Sequence, residues 1–306
     1  MPKLLLHQYD VSPFSEKIRK ILAVKRVPWG AVEQPTIMPK PDLLPLTGGY
    51  RRIPVLQIGA DVYCDTQLIA RTIESLHPTP TIYPGGTEGT CHAWGLLADR
   101  LLFLPAVAVV FAAIGSTVPP EFIADRTKMM PGRDFADVPK QAPHAREQVR
   151  ALASLMEAQL ADGRPFLLGA EFSLADAACW NPLWFLRLAP ETPALLEPLP
   201  RVRAWTERVG ALGNGDRTDV TPADALAIAR ESRPAAGGGV DPHEPNGLTA
   251  GTRVAVTPDD YAFDPVEGDL LASSAHEVAI RRQDPAVGEV VVHFPRYGYR
   301  VTRRAP

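Results

Sequence analysis

Three short stretches hold side chains that could act together on a small polar ligand: YDVSPFSEK, RRIPVL and CDTQL. In the first, Ser12 stands where a helix begins, with Pro13 at the first helical position, which needs no N–H. A serine hydroxyl there can donate a hydrogen bond to an anion, and the helix start adds positive potential. Ser15, one turn along, is a second candidate donor and Tyr9 a third. In the last stretch, Asp65 and Thr66 open another helix. Its free N–H groups suit a carboxylate, and Asp65 suits an ammonium. Taken singly, Ser12 and Asp65–Thr66 read as plain caps, Pro54 as an ordinary strand opener and Lys40 as a solvated charge.

The elements that must position these residues follow from periodicity. Lys3 to His7 is a short apolar run, expected as a buried strand. After Ser12, the residues Phe14, Ile18, Ile21 and Leu22 lie on one helical face. Trp29 to Gln34 reads as a second strand. Pro54–Ile58 and Asp61–Cys64 flank Gly59-Ala60, a hairpin signal. The next helix carries Ile69, Ile73 and Leu76, and His77-Pro78 ends it. The order is β-α-β-(α)-β-β-α, an α/β unit over residues 1–84.

Residues 88–232 read as all-helical, with amphipathic stretches at Cys91–Ile114, Pro143–Ala161, Leu174–Leu188, Arg201–Leu212 and Pro222–Arg230. A break is expected near Pro105, and Ser116–Gln141 reads as a long irregular connection. Ser173 and Asp176 form an S-x-x-D capping box with Phe172 as its staple, a structural device. Residues 233–247, RPAAGGGVDPHEPNG, read as a linker. Residues 248–306 alternate as strands do in RVAV, EVAI, EVVVHF and YGYRV, with TPDD, DPVEGD and QDPAVGE as turns. They predict a small all-β unit, barrel-like.

Composition narrows the function. The chain has 306 residues, 45% apolar and 22% charged, with net charge −3. That suits two or three folded domains and gives no global positive field for nucleic acid or an anionic membrane. The N-terminal apolar run is too short for a signal peptide, so a cytoplasmic protein is expected. The three cysteines are isolated, with no CxxC, and the seven histidines show no metal spacing. The basic, aromatic tail RYGYRVTRR sits in a unit whose acids and bases nearly balance, so it reads as a solvated tail on a packing module.

The first stretch resembles the strand-to-helix junction of glutaredoxins and glutathione S-transferases, with Ser12-Pro13-Phe14-Ser15 where glutaredoxins carry CPxC or CPxS. With serine at both cysteine positions, disulfide exchange by the protein at this point is excluded. The chain is thus similar to the glutathione S-transferase superfamily from about residue 3 to 230: a thioredoxin-like N-terminal domain followed by an all-α domain. The resemblance implies glutathione as co-substrate, held by Phe14, Lys40, Ile53, Pro54, Asp65 and Thr66. It implies a cis bond before Pro54, with the Ile53 backbone pairing the cysteinyl part like an added strand. Asp65 and Thr66 would take the γ-glutamyl end, and Lys40 the glycyl carboxylate.

Ser12 would be catalytic, favouring the glutathione thiolate for attack on a small-molecule electrophile in detoxification. Shifting a thiol pKa by two units takes about 2.7 kcal/mol, which a charge-assisted hydrogen bond and a helix terminus can supply. The electrophile would meet Trp94, Leu97 and Phe103, residues that also suit a plain core. A homodimer is implied, with no nucleic-acid or membrane partner. The alternative is a non-catalytic carrier or interaction module on the same fold. The strands after 248 lie outside the transferase pattern.

Overall fold

The computed structural model describes residues 4–235 and 237–304. Residues 1–3, which include the expected strand start at Lys3, residue 236 of the expected linker, and residues 305–306 lie outside it. The chain divides into two compact units, one of residues 4–15, 28–72, 217–235 and 237–304, the other of 16–27 and 73–216.

The first unit is built on one ten-stranded sheet. Its strands are β1 (Leu4–Gln8), β2 (Trp29–Glu33), β3 (Val55–Ile58), β4 (Asp61–Cys64), β5 (Arg217–Asp219), β6 (Arg253–Pro258), β7 (Val266–Ser273), β8 (Glu277–Asp284), β9 (Gly288–Pro295) and β10 (Tyr299–Arg303). They lie in the order β10-β6-β7-β8-β9-β4-β3-β1-β2-β5. β1 runs parallel to β2 and antiparallel to β3. β3 and β4 form the expected hairpin, with Gly59 at positive φ in its turn.

The all-β C-terminal unit is present, but it is not a separate barrel beyond a linker. β9 pairs in parallel with β4, from Asp61 opposite Val291 to Tyr63 opposite His293. One core holds Val55, Val62 and Cys64 together with Val254, Ile280, Val292 and Phe294. The reason is in β9 itself: six consecutive residues from Val290 are buried, as in a strand covered on both faces rather than one facing solvent. β7 was hidden in a stretch expected to be a turn, because of Gly268-Asp269. Gly268 is needed there: a Cβ would lie 2.7 Å from the Arg281 carbonyl on β8. The expected linker is tied down too, by Ala235 N–H on the Asp61 carboxylate and by Val240 bridging to Ser273.

Residues 217–232 also belong to the sheet unit, not to the helical region. β5 pairs with β2, and the helix at Pro222–Glu231 accepts a hydrogen bond from Gln57 through Ala225 O. Gln57 Oε1 in turn accepts from His7 Nε2 at 2.8 Å, and Gln34 Nε2 lies 3.2 Å from His7 Nδ1. With neutral amides as its partners, burial pushes the His7 imidazole down to about 4.

In chain order the helices are α1 (Pro13–Lys25), α2 (Leu44–Thr47), α3 (Thr66–Leu76), α4 (Glu88–Leu96), α5 (Phe103–Ile114), α6 (Pro120–Met129), α7 (Ala142–Gln159), α8 (Leu174–Leu186), α9 (Pro200–Gly210) and α10 (Pro222–Glu231). α1 and α3 begin in the sheet unit and end in the helical unit. Pro105 does not break the expected stretch Cys91–Ile114; it lies inside α5. Instead a π-helical turn, Leu97–Leu102, joins α4 to α5, and the Phe103 N–H reaches back to Ala98 O. Pro105 has no N–H to donate, and the wider turn adjusts the hydrogen-bond ladder just before it.

The run Glu88–Thr117 is long and apolar enough to cross a membrane by length and composition. Asp99 within it pairs with Lys17 at 2.7 Å, and the run packs on α7 and α8. The expected irregular segment 116–141 contains α6 instead, with Pro119 and Pro120 at its start, where proline is tolerated. Its Phe122 stacks on Phe111 at 5.9 Å, and Phe135 meets the Phe111 ring edge-on at 5.0 Å.

Candidate functional site

The sheet register brings the expected site residues to one end of three strands. On β1 His7 lies opposite Val55 of β3, and Val55 lies opposite Cys64 of β4. The chain leaving β1 through Tyr9 to Ser12, the chain entering β3 at Ile53-Pro54, and the chain leaving β4 at Asp65-Thr66 therefore share that end. Lys40 also reaches it, with its ammonium 5.6 Å from the centre of the Tyr9 ring.

Ser12 is buried and caps α1. Its Oγ accepts the Ser15 N–H at 3.2 Å, while its own N–H donates to Tyr9 O. Accepting from the helix leaves the hydroxyl proton available for an anion at the helix start. Ser15 is also buried, and its Oγ has no hydrogen-bond partner among the described residues. Phe14 is half-buried in the first turn. Lys40 is buried and donates to Pro35 O.

The Ile53-Pro54 peptide is cis. β3 starts only at Val55, so Ile53 lies outside the strand ladder. Asp65 adopts a left-handed backbone, φ 71°, and one carboxylate oxygen caps α3 by accepting the Gln67 N–H at 3.0 Å. Thr66 is buried at the first position of that helix.

The second Asp65 oxygen has a partner that sequence reasoning did not assign. Tyr299 Oη lies 3.1 Å from Asp65 Oδ2 and 3.2 Å from the Tyr50 hydroxyl. A hydroxyl has one proton and a carboxylate only accepts, so Tyr299 donates to Asp65 and Tyr50 completes the chain. Burial pushes both phenols well above their ordinary range, with the Asp65 charge adding to it, so both stay protonated. Arg52, next to Ile53, is held the same way. Its guanidinium donates to Asp260 and to Tyr261 O, and it stacks 3.7 Å from the Tyr261 ring centre. The aromatic tail around Tyr299 was visible in the sequence, but its facing partner was not.

Trp94, Leu97 and Phe103, expected at the electrophile, are half-buried in the helical unit, and Phe103 faces Phe185 at 6.3 Å. The three cysteines are free and buried. Burial pushes the Cys64 and Cys179 thiols well above their ordinary range, which disfavours a nucleophilic thiolate at either. Among the described residues no group of three His, Cys, Asp or Glu could hold a metal ion.

A thioredoxin-like sheet end with a serine that caps one helix and an acid–threonine pair that opens another defines a class of protein. The family profile for the glutathione S-transferase N-terminal domain matches residues 6–81, and that for the C-terminal domain matches 136–208. A solved structure of a glutathione S-transferase-like protein from Pseudomonas syringae is 39% identical, with TM-score 0.84, over 99% of this chain and 100% of that one. The chain belongs to the glutathione S-transferase superfamily.

Two more distant structures share the fold. A glutathione S-transferase from Rhodospirillum rubrum is 20% identical with TM-score 0.55, over 68% of this chain and 88% of its own. A glutathione transferase from Phanerochaete chrysosporium is 18% identical with TM-score 0.57, over 69% and 97%. A search of curated proteins found none that matches.

Proposed function

We propose that the chain binds glutathione and conjugates its thiolate to a small electrophile. The observation that carries this is the shared strand end, where Ser12, the Ile53-Pro54 entry to β3 and the Asp65-Thr66 helix start converge. The Ile53 backbone pairs the cysteinyl residue, the α3 start takes the γ-glutamyl carboxylate, and Asp65 takes its ammonium. The Ser12 hydroxyl and the α1 start hold the sulfur as thiolate. Lys40 meets the glycyl carboxylate after turning from Pro35 O. The protein acts as a homodimer in this reading.

A second reading is a carrier that binds glutathione or an apolar ligand without turnover. It draws support from Ser12 being buried and already engaged as a helix cap. Calorimetry with glutathione, together with a conjugation assay on a generic aryl halide, separates the two. Conjugation should fall at least tenfold in Ser12→Ala, with glutathione affinity changed far less. Binding without turnover selects the carrier, and no glutathione binding by the wild type removes both readings.

A further inference from the structure

The contacts from the C-terminal strands to the site residues do not stand alone. β6 and β10 are paired, with Tyr299 opposite Pro258, and the Asp259 N–H donates to Gly298 O. Residues 258–261 and 298–299 therefore form one corner of the sheet. That corner holds two site segments at once. Through Asp260 and Tyr261 it holds Arg52, the residue before Ile53. Through Tyr299 it holds Asp65.

We propose that this corner completes the γ-glutamyl end of the glutathione site, with Tyr299 as the residue that positions the Asp65 carboxylate for the ligand's ammonium. The inference rests on the glutathione reading above. A carboxylate held only by the Gln67 N–H can still rotate its outer oxygen. With Tyr299 on that oxygen, both ends of the group are pinned before a ligand arrives, so less ordering remains to be done on binding. Asp65 is only half-buried, and each carboxylate oxygen keeps an acceptor direction after one hydrogen bond. An ammonium can therefore still be received. Behind Tyr299, the hydroxyl of Tyr50 and the ring of Phe294 at 5.6 Å fix the phenol in place. The selectivity implied is for thiol peptides with a free γ-glutamyl amine.

The test is binding of glutathione and of N-acetylglutathione, whose amine is blocked, to the full-length wild type and to Tyr299→Phe. The wild type should prefer glutathione. In Tyr299→Phe glutathione affinity should fall by about tenfold, with N-acetylglutathione unchanged, so that the preference collapses.

Equal weakening for both ligands would make Tyr299 merely structural and overturn the inference, as would no change. Tighter glutathione binding in Tyr299→Phe would overturn it too, by showing that the hydroxyl competes with the ligand. A wild type that binds no glutathione overturns the glutathione reading itself. Should Tyr299→Phe fail to fold, amide hydrogen exchange on the wild type decides. Residues 259–261 and 298–300 should gain protection with saturating glutathione but not with saturating N-acetylglutathione, and equal or absent protection overturns the inference.

Discussion

Among the carboxylates that stand at helix starts in this molecule, Asp65 at α3 and Asp176 at α8 have different fates. Asp176 is fully buried and surrounded by donors. It accepts from Leu167 N–H at 2.8 Å, from the Ser173 N–H and hydroxyl at 2.9 and 2.6 Å, and from the Trp205 indole at 2.8 Å. Asp65 takes one helix N–H and one phenol and stays half-buried. Each has an aromatic donor from a distant part of the chain. What separates them is the number of acceptor directions left over and whether solvent reaches them. A carboxylate with every direction filled and no exposure can only hold structure, whereas one with directions to spare can receive a ligand.

The largest expected effect tests the sealed member. Asp176→Ala leaves four buried donors without an acceptor and should cost about 3 kcal/mol or more of stability. Asp65→Ala should cost about 1 kcal/mol as a lost cap. Its effect should appear instead as at least tenfold weaker glutathione binding. Urea unfolding and calorimetry on both variants check this, and a reversed pattern breaks the comparison.

The same contrast recurs in two imidazoles. His7 is sealed among neutral amides, and its folded pKa of about 4 lies below the unfolded 6.5. As pH falls from 6.5 toward 4, the unfolded chain takes a proton that the native state refuses. Stability should drop by up to about 3 kcal/mol across that window. Unfolding at a series of acid pH values should show this drop in the wild type and a shallower one in His7→Gln. An equal slope in the two would remove His7 as its source.

His293 is the opposite case. Burial alone would lower its pKa, but hydrogen bonds to Asp61 and Glu277 outweigh burial and raise it. The ring also stacks on Tyr63 at 4.3 Å, across the seam between β4 and β9. This contribution is present in full below the unfolded pKa of about 6.5 and is lost as pH rises through the higher folded value. Stability is therefore expected to fall as pH rises above about 6.5. Thermal melts of the wild type should show it, and melts of His293→Gln should not. If the two variants' pH dependence is the same, the carboxylates are not holding a charged imidazole.

Much of the site was legible because its parts are local. Ser12 capping α1, Asp65 opening α3, and the Ser173–Asp176 box are each specified within four residues by helix-end chemistry. The β-α-β and β-β-α order followed from periodicity, which short-range packing enforces. Two kinds of feature were not legible. α6 was obscured by prolines that sit harmlessly at its start. β7 was obscured by a glycine that serves close strand approach rather than a turn.

The sequence by itself therefore determined the helix caps, the hairpin at Gly59, the motif order and the absence of a dithiol. Only the tertiary structure decided that the last strands extend the first sheet and that Tyr299 rests on Asp65. The reason is physical. A cap or a turn is a contact between residues a few positions apart, and its cause is written in the residues themselves. The pairing of β9 with β4 joins positions more than two hundred residues apart. It depends on which buried edge is left open once the local elements have packed, and no short stretch of sequence encodes that.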